Sequence, residues 1–177
     1  MTSKLLTYKT ESEAETFNLG RLLGKMLTKG NVIALAGELG GGKTCFTKGL
    51  AAGIGLPPDI VITSPSFSLA NEYDGPCPLF HMDAYRMASF DDFLSAGLDE
   101  YFYRDGVVVI EWADKWPDLL SRADIKVDFV IIDEHRRMIT FLADHQKGIS
   151  ILNRYEKLLK RYLSHSKTTG SWIEGIN

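Results

Sequence analysis

The sequence predicts an α/β fold, a single domain whose mixed, mainly parallel sheet is flanked by helices and finished by a late antiparallel hairpin. Three observations carry that expectation. The short runs "VIALAG" and "VVVIE" are almost wholly apolar, as strands buried on both faces must be. Helix-forming stretches alternate with them along the chain. The segment "KVDFVIIDEHRRMITFLAD" places two strand-like runs around a tight turn at Glu134–His135–Arg136.

Taken in order, the first helix is expected from about Glu11 to Thr28. Thr10 and Glu13 have capping-box spacing, and Ala14, Phe17, Leu22, Met26 and Leu27 approximate one apolar face, with Gly30 as the stop. "VIALAG" then reads as a buried strand and Lys43 to Ala52 as a helix. "IVITSPSFSLANEY" and "PLFHMD" flank the turn chemistry of Asp74-Gly75-Pro76, which suggests a hairpin. Ser89 is a candidate N-cap for a short helix in "SFDDFLSAGLDEYF". "GVVVIEW" is a second all-apolar strand, and "WPDLLSRA" a helical turn. From about Ile149 to Leu163, Ile151, Leu152, Tyr155, Leu158, Leu159 and Tyr162 form the apolar stripe of an amphipathic helix.

A chain of 177 residues supports one domain that buries roughly 70% of its unfolded surface. Its 45% hydrophobic and 24% charged residues are ordinary for a soluble protein, and a net charge of −3 advertises neither a nucleic-acid nor a membrane surface. Cys45 and Cys77 have no ligand-like spacing and read as free thiols. "MTSKLLTYKTESEAE" lacks a secretory apolar run, and nothing approaches ~18 consecutive apolar residues. These features point to a cytoplasmic protein.

The stretch "GELGGGKT" matches G-x-x-x-x-G-K-[ST] at Gly37, Gly42, Lys43 and Thr44. Successive N–H groups must wrap a β-phosphate, which requires glycine conformations and close backbone approach. The lysine supplies a point charge to the β and γ oxygens, the threonine hydroxyl ligates Mg²⁺, and the following helix aims its positive end at the anion. An apolar strand before the motif and a helix after it are the context a phosphate loop needs. The boundary drawn is therefore a P-loop domain over residues 1–147, with the amphipathic helix and tail of 148–177 either part of it or appended.

Such a site needs an acidic residue at the end of a neighbouring apolar strand. Asp83, Glu111 and Asp133 compete. Lys126 and Asp128 alternate along the strand before Asp133, as in a half-exposed edge strand, and Asp133 itself falls in a turn. Glu111 ends a continuously apolar run, where open α/β sheets bind ligands, so Glu111 and Asp83 are favoured. No Asp is followed by Gly three positions later, and no Asn or Thr opens a K-x-D triplet. Guanine recognition has no visible carrier, which leaves ATP.

In this order, "GELGGGKT", "TSPSFSLANEY", "HMDAYR" and "VIEW" resemble the TsaE family, small bacterial P-loop ATPases of tRNA threonylcarbamoyladenosine (t6A) synthesis. The resemblance spans about Thr10 to Phe141. It implies a compact P-loop fold, an ATPase weak by itself, and partnership with the TsaB–TsaD pair that modifies A37 of tRNA, with tRNA engaged only through that complex. By position, Glu38, Leu39, Gly40, Gly41, Gly42, Lys43 and Thr44 would hold the phosphates, with Cys45 behind them. Thr44 and Glu111 would ligate Mg²⁺, Asp83 would order the attacking water, and Trp112 would support the site. Thr63 and Ser64 lie in a switch-like segment. Thr10 and Glu13 are candidates for the adenine end, being equally readable as a capping box, and Arg136 lies near a family position that approaches the nucleotide. Gly41 stands where the family usually has alanine, and Ser66 where threonine is usual.

Other residues keep two readings. His81 is either a satisfied strand histidine or part of the site, and Arg86 either a cation for the γ-phosphate or a structural partner of nearby acids. At a helix start, Cys45 is a candidate for a depressed thiol pKa, or a small packing residue. Arg154, Lys157, Lys160, Arg161 and Lys167 form either a solvated face or a docking surface. The expected reaction is attack of water on the γ-phosphate, with Lys43 and Mg²⁺ taking up the developing charge. The rivals are a small-molecule kinase using "HMD" and a nucleotide-dependent scaffold.

Overall fold

The computed structural model describes residues 3–169, with side chains through Ser164. Seven strands, β1 (Lys4–Thr10), β2 (Val32–Gly37), β3 (Ala70–Tyr73), β4 (Leu79–Asp83), β5 (Val107–Glu111), β6 (Ile125–Ile131) and β7 (Arg137–Ala143), form one sheet. The helices are α1 (Glu13–Gly24), α2 (Lys43–Gly53), α3 (Phe90–Ser95), α4 (Pro117–Arg122) and α5 (Gln146–Thr169). Sheet order is β1-β7-β6-β2-β5-β4-β3. The central β6, β2, β5 and β4 are parallel, while β7, β1 and β3 add antiparallel margins. The fold class is the one the sequence predicts.

Side-chain alternation sorts the central strands into two cores. Ile33, Leu35, Leu79, Val107 and Val109 meet Leu22, Leu23, Phe46, Leu50 and Tyr155 on the side of α1, α2 and α5. Val32, Ala34, Met82, Val108 and Ile110 meet Phe93, Leu98 and Leu119 on the other. Each fully buried Leu, Ile or Phe contributes about 1.5–3 kcal/mol of transfer free energy. α5 carries the expected stripe: Ile151, Leu152, Tyr155 and Leu159 are buried, and Leu158 and Tyr162 pack at the margin. The side chain of Lys167 lies outside the described residues.

Helices α1 and α2 touch backbone to backbone. A Cβ on Gly49 would lie 2.0 Å from the Phe17 carbonyl oxygen, and one on Gly20 would lie 2.2 Å from that of Phe46. Gly24 and Gly53 are equally crowded by the facing helix. Only glycine permits this approach.

Three expectations need correction. The amino-terminal residues form strand β1, paired along its length with β7. Because β1 consumes Thr10, helix α1 starts later and is capped by Ser12, whose side chain accepts from the Glu15 amide at 3.2 Å. The helix also ends at Gly24, short of Thr28. β6 is not an edge strand; it lies between β2 and β7, with Ile125, Val127 and Phe129 buried and Asp128 exposed on its barer face. Among the described residues no helix is long and apolar enough to cross a membrane.

Candidate functional site: a phosphate loop at the carboxyl edge of the sheet

The strand register delivers the site. Asp83 pairs with Glu111, and Glu111 with Leu35, so both acids stand beside the turn that leaves β2. From Gly37 the chain enters a loop in which Gly40 (φ 77°) and Gly42 (φ 100°) are left-handed, conformations costly for residues with a Cβ. Gly42 then sits at the N-cap of α2 with no capping side chain, which leaves the first-turn amides of that helix for an anion.

Lys43 is nearly buried and folds back on its own loop. Its Nζ donates to the Gly37 and Glu38 carbonyls at 2.7 and 2.8 Å, and lies 3.8 Å from the centre of the Trp112 ring. Burial pulls its ammonium below the usual lysine range; the charges of Glu111, Asp114 and Asp83 act the other way. The Thr44 hydroxyl donates to Glu111 at 2.9 Å to Oε1 and 3.2 Å to Oε2. His81 Nε2 is 2.8 Å from the same Oε1.

Asp83 is buried and engaged on both oxygens. Ser64 Oγ donates to Oδ2 and the Tyr85 amide to Oδ1, each at 2.8 Å. Ser64 thus ties the loop before β3 to the end of β4. The only two non-glycine residues with positive φ among the described residues, Leu69 (φ 67°) and Trp112 (φ 60°), flank this arrangement. Leu69 offers its carbonyl to the Asp83 amide, and Trp112 turns the chain directly after Glu111, bringing its ring beneath Lys43 and 4.8 Å from that of Tyr85. Backbone outliers gathered at one place mark a site the surrounding fold holds under strain.

These groups line a cleft of about 500 Å³ that includes Glu13, Gly40–Thr44, Ser64, Asp83, Arg86 and Glu111. Next to it, a hollow of about 290 Å³ is bounded by Glu13, Thr16, Gly40, Cys45, His135 and Arg137. A more apolar hollow of about 350 Å³, lined by α2, Phe17 and residues 56–62, has Lys48 as its one charged lining residue and shares no residue with the loop.

The sequence-predicted residues divide accordingly. Gly40 to Cys45, Asp83, Glu111 and Glu13 come together in the cleft; Leu39 lines it from the loop tip with most of its surface exposed, and Glu38 contributes its carbonyl. Thr10 does not reach it: the residue is buried at the end of β1, with its hydroxyl 3.0 Å from that of Thr16. Arg136 is turned away, paired with Asp133 in the exposed hairpin turn. That arginine holds the Asp133 carboxyl down to about 2, and Asp133 is not among the residues that line the cleft. The Cys45 thiol is raised, not depressed, because burial outweighs nearby Lys48, with Glu13 adding to the rise. Arg86 stacks over the ring of Phe67 at 4.3 Å on the cleft wall.

Two participants escape sequence reasoning. Arg137, one residue beyond the expected arginine, donates to the Gly40 carbonyl at 3.1 Å and bounds the smaller hollow. Lys115 donates to the carbonyls of Ala84, Tyr85 and Met87 at 2.6–3.2 Å, pinning the loop after Asp83. The first has a faint signal in its place after a hairpin turn; the second has none.

Residues 10–139 match the model of the family described as threonylcarbamoyl adenosine biosynthesis protein TsaE. The chain belongs to the TsaE family. The TsaE of Treponema pallidum, named a tRNA threonylcarbamoyladenosine biosynthesis protein, is 40% identical over 131 residues, covering 74% of this chain and 96% of that protein. The TsaE of Bacillus subtilis is 37% identical over 163 residues, covering 92% and 96%. The crystal structure of Bacillus subtilis YdiB superposes with a TM-score of 0.67 at 34% identity, covering 94% of this chain and 99% of that one. The TsaE match takes in α1 through the first residues of β7, and so every residue of the cleft described above.

Proposed function

We propose that this chain is an ATPase that serves tRNA t6A synthesis, acting in the cytoplasm with TsaB and TsaD and touching tRNA only through them. Residues 148–177 are taken as part of the same working unit. The observation that carries the catalytic half is the Thr44–Glu111 hydrogen bond at 2.9 Å, directly behind a loop whose lysine is nearly buried. A hydroxyl and a carboxylate are hard oxygen donors, the kind Mg²⁺ takes singly or in pairs beside phosphate oxygens. The residues present therefore fit a magnesium nucleotide, with Thr44 and Glu111 facing the ion and the loop amides facing the phosphates. Mg²⁺, when bound, neutralises charge on the β and γ oxygens.

The chain's own groups supply the rest. Lys43 exchanges its two carbonyl partners for phosphate oxygens, a stronger pairing between full charges. Asp83 orients the attacking water through the oxygen it now shares with Ser64. The hollow beside Glu13, Cys45, His135 and Arg137 takes the adenine end. No arginine other than Arg86 lines the cleft among the described residues, and Arg86 rests on Phe67, which suits slow hydrolysis until a partner completes the site.

The test is reconstitution with TsaB, TsaD, tRNA and ATP. Multiple-turnover t6A formation is expected to require this chain and to fail with Lys43→Ala. Undiminished turnover with that variant, or basal ATPase indifferent to TsaB–TsaD, would sink the proposal. A Glu111→Ala variant that binds ATP without hydrolysing it, yet sustains t6A formation, would move the reading to a nucleotide-dependent scaffold.

A further inference from the structure

We propose that His81 is a positioning residue for Glu111, fixing that carboxylate in the orientation a magnesium–nucleotide complex meets. The proposal rests on the reading of the cleft as a magnesium–nucleotide site. Along β4, Leu79, His81 and Asp83 point to the same side of the sheet. Leu79 joins the core there and Asp83 enters the cleft, so His81 occupies a step where the alternation calls for an aliphatic side chain. It is fully buried and cannot touch a nucleotide itself.

A carboxylate only accepts, so the proton between the two residues sits on His81 Nε2. Nδ1 is buried without a hydrogen-bond partner among the described residues. A strand histidine kept only for packing would incur that loss for nothing, since an aliphatic residue fills the space without it. What the imidazole adds is one donor aimed at Glu111. Both short contacts, from His81 and from Thr44, close on Oε1, and Oε2 carries only the longer Thr44 contact. The carboxylate is thereby held with Oε2 as the oxygen left to face a hydrated cation. Partners behind a ligand commonly govern its orientation and the affinity of the ion.

The experiment titrates a fluorescent ATP analogue against the full chain, in EDTA and across a Mg²⁺ series. Wild type, His81→Leu, His81→Asn and His81→Gln are compared, with thermal melting as the check on folding. Gln places an amide N–H as many bonds from Cβ as Nε2, whereas Asn ends one bond short. His81→Leu and His81→Asn are expected to raise the half-saturating Mg²⁺ concentration by about 10-fold or more, with EDTA affinity unchanged and Gln restoring most of the loss. His81→Asn keeps a buried amide, so it carries the test if Leu fails to fold. An unchanged Mg²⁺ dependence, or equal losses with and without metal, overturns the positioning role. If the wild type itself binds nucleotide with no Mg²⁺ dependence, the magnesium–nucleotide reading fails, and this inference with it.

Discussion

Arg137 Nη2 donates to the carbonyl of Gly40, 97 positions away in sequence, and so ties the β6–β7 hairpin to the apex of the phosphate loop. Its Nη1 also holds the carbonyls of Asp133 and Arg136, which makes the side chain a strut between turn and loop. Neighbouring Arg136 is spent on Asp133. Arg137→Ala is therefore expected to weaken ATP binding by about 5-fold, the worth of a part-exposed charged hydrogen bond. Arg136→Ala should change it by less than about 2-fold. Calorimetric titration of both variants checks this; the reverse ranking would restore Arg136 as the nucleotide contact.

Asp83 has both oxygens occupied by Ser64 and the Tyr85 amide, contacts a neutral amide only half preserves. Asp83→Asn is expected to lower the turnover of ATP hydrolysis by roughly 100-fold while nucleotide affinity stays within a few-fold. Single-turnover rates beside equilibrium binding separate the two. A parallel collapse of affinity would make Asp83 a structural residue of the cleft.

Gly49 meets the Phe17 carbonyl where a Cβ has no room, and the obstacle is backbone that cannot rotate aside. Gly49→Ala should destabilise the chain by about 3 kcal/mol, although alanine is the better helix former. Urea unfolding measures it. A neutral result would mean that α1 and α2 separate at little cost.

Glu72 receives both guanidinium nitrogens of Arg104 at 2.7 Å and the Tyr101 hydroxyl at 2.8 Å, which hold its carboxyl at about 2 against an ordinary 4.5. The folded value lies below the unfolded one, so this contribution to stability is complete above about pH 4.5 and is lost as pH falls towards 2. Glu72→Gln should be less stable than wild type near neutral pH, with the gap closing in acid and shrinking in salt. Thermal melts over a pH series test the sign. A gap that widens in acid would refute it.

The meeting of the glycine loop with Asp83 and Glu111 was legible because local chemistry signals it. A run of glycines before Lys43 permits the left-handed turns at Gly40 and Gly42, and continuously apolar residues ahead of Glu111 read as a buried parallel strand whose end lies beside that loop. The start of the chain was not. In β1 the covered face carries Lys4, Leu6, Tyr8 and Thr10 and the other Leu5, Thr7 and Lys9, so polar and apolar residues do not alternate cleanly. Thr10 with Glu13 and Ser12 with Glu15 have the same spacing, and only the end of the preceding strand decides that Ser12 is the cap, with the Glu15 carboxylate accepting from the Glu11 amide. β6 looked like an edge because a central strand with one bare face has the same period-two pattern as a marginal one. Lys115 and Arg137 act on carbonyls far away in sequence, and nothing local announces such partners.

The glycine contact between α1 and α2 divides the pocket mechanically. Glu13 and Thr16 ride on one helix and Lys43 and Thr44 on the other, and with the backbones touching neither can shift without the other. That side behaves as the fixed jaw of a vice. The opposing side has no such helix-to-helix backbone contact and is held by individual hydrogen bonds, among them Ser64 to Asp83 and Lys115 to the loop that follows. Under the proposed function, any movement that reports loss of the γ-phosphate has to leave through that second jaw.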